Sequence, residues 1–327
     1  MTTPRPAPAD HRVPQGHAGG AAGIKADRDA DSVWHAGERA LQRAAGVAEQ
    51  LAAFGPRVMR DSMPDQHRAF FAELPLLFTG TLDGAGQPWA SLLAGAPGFI
   101  AAPTPRLLAV HARPLPGDPA ATHWRQGAPV GLLGLQAHTG RRNRMSGWVE
   151  SWRDGIAVRV GQSFGNCPKY IHPREAVHDP ARAGEVRVHR GAGLDAAASR
   201  LVAGADTFFI ASAHPLAAST QKPSEGVDVS HRGGRPGFVR VHGDRLVIPD
   251  YAGNTFFNTL GNLQLEPRCG LLFIEPSSGT RLHLACTARL RTQAPDPVEW
   301  PGALRLLDLE VREAVRIEGG LPLRWKA

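Results

Sequence analysis

Cysteine is scarce in this chain. Three occur among 327 residues, Cys167, Cys269 and Cys286, and they stand far apart. So sparse and odd a set argues against a disulfide framework and against the paired spacings of a zinc or iron–sulfur site. Long apolar runs are absent too. None approaches the roughly 20 residues of a membrane-spanning helix, so no membrane partner is expected. The N-terminus lacks the apolar core of a secretion signal. It is rich in Pro, Gly, Ala and charge instead, which reads as a disordered tail over 1–32 in a cytoplasmic protein. Acidic side chains are outnumbered: 37 Lys and Arg face 30 Asp and Glu, a formal charge of +7. That balance favours anionic ligands such as phosphates. No basic block is interleaved with aromatics, so nucleic acid is not an expected partner. The 14 histidines are scattered. His35 and Glu38 stand three apart, but two candidate ligands make no metal site, so "WHAGE" reads as the start of a helix packing on the rest.

What is present is globular. Apolar residues make up 42%, and the length suffices for two ordinary domains. Val33 to Leu74 carries helical spacing, with an expected break at Phe54–Pro56 and a cap at Asp65 for a short helix. The texture then changes. "LLFTGTLDGAGQPWASLLAG" reads as strand, turn, strand. Further short apolar runs follow between Gly and Pro turns, including a hairpin about Asp154-Gly155, and they indicate an all-β barrel or sandwich. A helical "LDAAASRLVAGA" interrupts, and strand texture returns to the end. The reading is a helical segment over 33–75, one β module over 76–177, a linker with a helix over 178–199 and a second module over 200–327.

The two modules look like repeats. A shift of 139 residues carries Ser91, Gly95 and Pro97-Gly98-Phe99 onto Ser230, Gly234 and Pro236-Gly237-Phe238. It also carries Arg106-Leu107 onto Arg245-Leu246, Gly131-Leu132-Leu133 onto Gly270-Leu271-Leu272, and Gly140 and Arg142 onto Gly279 and Arg281. No gap is needed over about fifty residues.

Only the later copy of "SLLAGAPGF", "SHRGGRPGF", is armed with His231, Arg232 and Arg235. As a Gly-rich turn it would let backbone approach a ligand while the guanidiniums meet phosphate oxygens and Ser230 adds a hydroxyl. Downstream, Asn254, Asn258, Thr259 and Asn262 cluster where a short helix is expected, with Leu260 and Leu263 inward and its start offering free amides to an anion. Against this stands the plainer reading of turn-capping asparagines and solvated arginines. In the first module, Arg141, Arg142 and Arg144 read as a solvated hairpin tip rather than a second anion patch. "GQSFGNCPKYIHPRE" brings Gln162, Asn166, Lys169 and Tyr170 beside Cys167. That thiol reads as a small buried residue, with a pKa lowered by Lys169, and so a reactive thiolate, as the alternative. No catalytic acid or base is identified.

"VDVSHRGGRPGFVRV", "LVIPDYAGNTFFNTLGNLQLEPRCGLLFIE", "QSFGNCPKYIHPRE" and "DQHRAFFAELPLLFTGTLDGAGQPWASLLAGAPGF" together resemble the pyridoxamine 5'-phosphate oxidase-like family, in particular its flavin-nucleotide-binding members with two tandem modules. The likeness runs from about Val33 to the end. It implies a mainly β fold with flanking helices: two tandem split β-barrels that form a pseudo-dimer within one chain. It implies FMN as cofactor, with the phosphate held by strand residues and by the segment before the strand that begins Glu266-Pro267-Arg268. Asn258 and Thr259 match that segment, where oxidases of the family carry arginine and lysine. Ser230, His231, Arg232, Arg235, Asn254, Asn262, Lys169 and Tyr170 complete the expected flavin site. The expected activity is that of an FMN-dependent oxidoreductase acting on a small-molecule substrate, with any NAD(P)H-dependent reductase a separate protein and a homodimer as a further assembly. A non-catalytic binder of flavin or another phosphorylated ligand, and a cofactor-free interaction module, stay open as alternatives.

Overall fold

The computed structural model describes residues 32–326 apart from Asp154. The tail expected over 1–32 therefore falls outside the described residues except for Ser32, as does Asp154 of the expected hairpin. Three helices open the chain: α1 (Ala36–Ala44), α2 (Ala48–Val58) and α3 (Asp65–Ala72). The helical break falls at Gly46 (φ 71°), not at Phe54–Pro56. Pro56 sits inside the last turn of α2, where the lost N–H costs one bond and no helix follows to be kinked. Pro64, not Asp65, is the N-cap of α3, and Asp65 is the first helical residue.

The first sheet holds β1 (Leu76–Leu82), β2 (Pro88–Ala94), β3 (Ile100–Thr104), β4 (Leu107–Val110), β5 (Pro129–Gln136), β6 (Arg141–Ser151) and β7 (Ile156–Gly165). Their order is β2-β1-β5-β6-β7-β4-β3. After β8 (Glu175–His178), β9 (Arg187–Gly191) and α4 (Ala196–Gly204) come β10 (Thr207–Ala213), β11 (Val227–Gly233), β12 (Arg240–His242) and β13 (Arg245–Tyr251). Helix α5 (Asn258–Leu265), β14 (Arg268–Ile274), β15 (Arg281–Arg291), β16 (Ala303–Glu318) and β17 (Leu323–Lys326) close the chain. The second sheet runs β11-β10-β14-β15-β16-β13-β12, with β9 added beside β16, while β17 pairs with β8. The two orders are the same permutation, so the repeat read from the sequence is a repeat of topology. Each sheet curls on itself. Leu93 from edge strand β2 and Ile100 from edge strand β3 meet in one buried core with Phe70 and Phe71 of α3. The second module packs Leu260 and Leu263 of α5 with Leu246, Leu271 and Leu284 in the same way. These are two split β-barrels in tandem.

The barrels face each other across a local two-fold axis. Phe78 of β1 and Phe209 of β10 occupy equivalent places, one opposite Leu92 and the other opposite His231. Their rings stack at 3.5 Å and 16°, a contact of about 1 kcal/mol beyond the area it buries. Leu76, Ala90, Leu92, Leu133, Ala211, Val229 and Leu272 close around them as a third apolar core shared by both modules. Two equivalent glycines permit the approach. A Cβ on Gly131 would lie 2.8–2.9 Å from backbone of Val227 and Asp228, and one on Gly270 would lie 2.4–2.8 Å from backbone of Pro88, Trp89 and Ala90. Each barrel thus lays a strand directly on the other's backbone.

Candidate functional site

A cavity of about 430 Å³ opens where the modules meet. One wall is β11 of the second module, which presents Ser230, His231 and Arg232. The stretch "SHRGG" is therefore strand through Gly233, and the turn begins at Gly234. Pairing with β10 over its whole length fixes it as strand. The opposite wall is β6 of the first module, which supplies Arg142 and Arg144, and the segment after β7, which supplies Asn166, Cys167, Lys169 and Tyr170. Asn254 and the start of α5, with Asn258 and Thr259, close the floor. Of the ten residues expected from the sequence, eight line this one cavity. Arg235 does not: it is exposed in the turn beyond β11. Asn262 lies one turn into α5, buried, donating to Ser212 Oγ at 3.1 Å.

Arg142 and Arg144 were read as a solvated hairpin tip, and here the structure corrects the sequence. Only Arg141 is exposed. Alternation along β6 turns Arg142 and Arg144 to the same face, and that face is covered by the other module. No local signal announces this, because the covering strand lies about 90 residues away in sequence. Arg142 donates from Nη1 to Nδ1 of His231 at 3.1 Å and from Nη2 to Cys167 Sγ at 3.6 Å. Its Nε is buried without a partner. Burial, and then Arg142 itself, push the His231 pKa down to about 3. The imidazole is neutral, Nδ1 accepts from the guanidinium, and its proton sits on Nε2.

A buried polar chain runs behind this wall. Helices α1 and α5 cross where Gly37 meets Gly261; a Cβ on Gly37 would lie 2.1 Å from the Gly261 carbonyl oxygen. The close crossing brings Glu38 to Asn258, whose Nδ2 donates to the Glu38 carboxyl at 2.5 Å. Asn258 Oδ1 in turn accepts from Arg144 at 3.2 Å, and Arg144 pairs with Asp228. Asp228 accepts from Ser230 Oγ (3.3 Å) and Thr259 Oγ1 (3.2 Å). Burial raises the Glu38 pKa to about 8 and lowers that of Arg144 to about 9. His35 caps α1 in a reciprocal box with Glu38, so "WHAGE" is a helix start, as its sequence suggests. Asn258 and Thr259 are thus bound into the scaffold by their side chains, while the first turn of α5, which has no side-chain cap, faces the cavity.

At the mouth, Tyr170 stacks on Tyr251 at 5.2 Å and donates to the Ala252 carbonyl at 3.2 Å. Arg232 does not stand free: it binds Asp250 at 2.8 Å, and Arg305 holds the other oxygen of the same carboxylate at 3.0 Å. Among the described residues, three that are not glycine have positive φ, namely Tyr170, Thr255 and Phe257. All three line this cavity. Such backbone costs about 1–2 kcal/mol per residue and gathers at sites where a precise surface matters. No group of three or more metal-ligating side chains is found among the described residues.

The equivalent elements across the two-fold axis are built differently. Arg281 and His283 of β15 are the equivalents of Arg142 and Arg144, yet both are fully buried. Arg281 donates to the Gly319 carbonyl at 3.0 Å, and His283 bonds the Ala90 carbonyl at 3.0 Å. Trp89 stands where Asp228 stands in the other half and packs with Val315 and Ile317. The chain's own C-terminal segment fills the second site.

Fold and site together define a class: a tandem split-barrel protein with a cationic pocket between its barrels. Comparison with known proteins gives no matching family model and no match among curated proteins. The solved structures that resemble it include HupZ of Group A Streptococcus, 8% identical over 39% of this chain and 98% of that one, at a TM-score of 0.28. A FAD-binding protein of Mesorhizobium loti is 13% identical over 40% of this chain and 97% of that one, at 0.26. A protein of Clostridium acetobutylicum related to general stress protein 26, of the pyridoxinephosphate oxidase family, is 10% identical over 34% and 78%, at 0.23. At TM-scores this low the likenesses carry no weight for function, and the fold rests on the strand order of the chain itself.

Proposed function

We propose that the cavity between the barrels binds a phosphorylated planar ligand of the FMN type. One observation carries the reading. Five cationic side chains (Arg142, Arg144, Lys169, Arg232 and Arg305) and a single carboxylate, Asp250, line one concave space of about 430 Å³. Arg142 has no carboxylate partner among the described residues, and its bonds go to a neutral imidazole and a thiol. A guanidinium so placed suits phosphate oxygens, and the open first turn of α5 adds backbone donors. Lys169 stands exposed at the mouth. Tyr170 and Tyr251 offer aromatic surface to a ring system. The residues present fit the group: Arg142, Lys169 and the α5 amides would hold the phosphate, and the tyrosine pair would flank the ring.

Bound flavin would supply one- and two-electron transfer, and the chain would supply orientation and charge. In that role the protein is an oxidoreductase whose redox partner is a small molecule, with electrons delivered by a separate NAD(P)H-dependent reductase. The first experiment is a visible spectrum of the purified protein, with release of any chromophore, followed by titration with FMN and with riboflavin. FMN should bind, and riboflavin, which lacks the phosphate, at least tenfold more weakly. Equal affinity for the two would remove the phosphate site. A colourless protein that takes up neither would remove the flavin, and a Soret band in place of flavin bands would make the ligand a haem. Turnover with NADH or NADPH separates an enzyme from a flavin carrier.

A further inference from the structure

A second cavity, of about 320 Å³, lies on the local two-fold axis itself. Its walls come in equivalent pairs: Leu76 with Thr207, Phe78 with Phe209, and Leu135 with Ile274. The small sheet of β8 and β17 closes one side with Ala176 and Trp325. The space is concave, rich in aromatic and aliphatic surface, and within the size range of small-molecule sites. It differs from the first cavity in charge. Its guanidinium, Arg174, is already bound to Asp206 at 2.5 Å. Glu175 is paired with Lys326 at 3.3 Å. Glu73 is exposed at the rim and accepts from Gln136 at 2.9 Å, where water screens it. Four histidines, His138, His172, His178 and His231, also line it; His231 is held neutral by burial, and His172 Nε2 meets the Gly234 carbonyl at 2.7 Å. An ionised ligand entering the apolar part would lose its hydration and find no unpaired guanidinium or ammonium in return. The two cavities share one residue, His231, whose ring stands edge-on to Phe209 at 5.6 Å.

We propose that this axial cavity is a binding site for an uncharged, largely apolar aromatic molecule of up to three rings, seated against the stacked Phe78–Phe209 pair. The site stands whether or not the neighbouring cavity holds a flavin.

The test uses two probes with the same ring system. N-phenyl-1-naphthylamine is neutral, and 1-anilinonaphthalene-8-sulfonate adds a sulfonate. The full chain is titrated with each, following fluorescence. The neutral probe should bind saturably with one site per chain, and the sulfonate at least tenfold more weakly. Leu135→Trp and Ala137→Phe each place bulk in the cavity and should each abolish the neutral probe's binding. Ala137→Phe is the milder change, and a retained thermal transition shows that it folds. Absence of saturable binding by the wild-type chain, equal affinity for the sulfonate, or unchanged binding in a folded cavity-filled variant would each overturn the proposal. None of these readouts depends on FMN.

Discussion

Arg142 is an arginine whose surroundings leave its charge unspent. Two of its nitrogens meet a neutral ring and a thiol, and Nε meets nothing. Hydrogen bonds to a charged group are worth about 1.5–3 kcal/mol each, so Arg142→Ala should weaken FMN binding at least tenfold by fluorescence titration. Arg235→Ala, in the exposed turn, should leave it unchanged. Glu38 makes a second prediction at this scale. Its carboxyl titrates at about 8 in the folded chain against an ordinary 4.5. The folded state holds that proton more tightly than the unfolded state. The contribution is complete below pH 4.5 and is lost as pH rises to about 8. His35 and His231, pushed down to about 3 from 6.5, act oppositely: the unfolded chain binds their protons more tightly, so stability rises from pH 3 to 6.5. Above pH 6.5 the histidines still add about 0.4 kcal/mol each as the unfolded chain loses its last imidazolium protons, so the Glu38 contribution is read as a difference. Between pH 6.5 and 8 the stability of the wild-type chain relative to Glu38→Gln, by urea titration, should fall by on the order of 2 kcal/mol.

At the scale of elements, the crossing of α1 over α5 sets the floor of the pocket. Alanine normally improves a helix interior over glycine by about 1 kcal/mol. At Gly261 the new Cβ would lie 2.6–2.8 Å from backbone and side-chain atoms of Glu38. The clash should win, so Gly261→Ala should lower stability by about 2 kcal/mol and weaken ligand binding with it, measured by thermal unfolding and FMN titration. Helix α5 itself was legible in the sequence, including the inward Leu260 and Leu263, because its apolar spacing is local. The arming of β6 was not. Arg142 and Arg144 look like the tip of any charged hairpin until the second barrel covers them. Residues whose role is set by a partner strand about 90 positions away leave no pattern in their own neighbourhood.

For the molecule as a whole, the 139-residue shift captured much of the architecture because β2 to β6 keep their spacing in β11 to β15. It fails at the ends for a physical reason. Thirteen residues join β10 to β11 where five join β1 to β2, so β1 and β10 stand 131 apart. The second barrel's armed strand and the first barrel's plainer one are true equivalents, and their difference is the asymmetry of the site. With the equivalent site filled by Arg281, Trp89 and the C-terminal strands, FMN titration should saturate at one per chain. Two per chain, measured by equilibrium dialysis, would mean that the C-terminal segment leaves its place.

A pocket shared by two separate subunits is lost when a solution is diluted below their dissociation constant. Here the two halves are joined by a peptide linker, and each sees the other at a fixed effective concentration. Ligand affinity should therefore be the same at nanomolar and at micromolar protein.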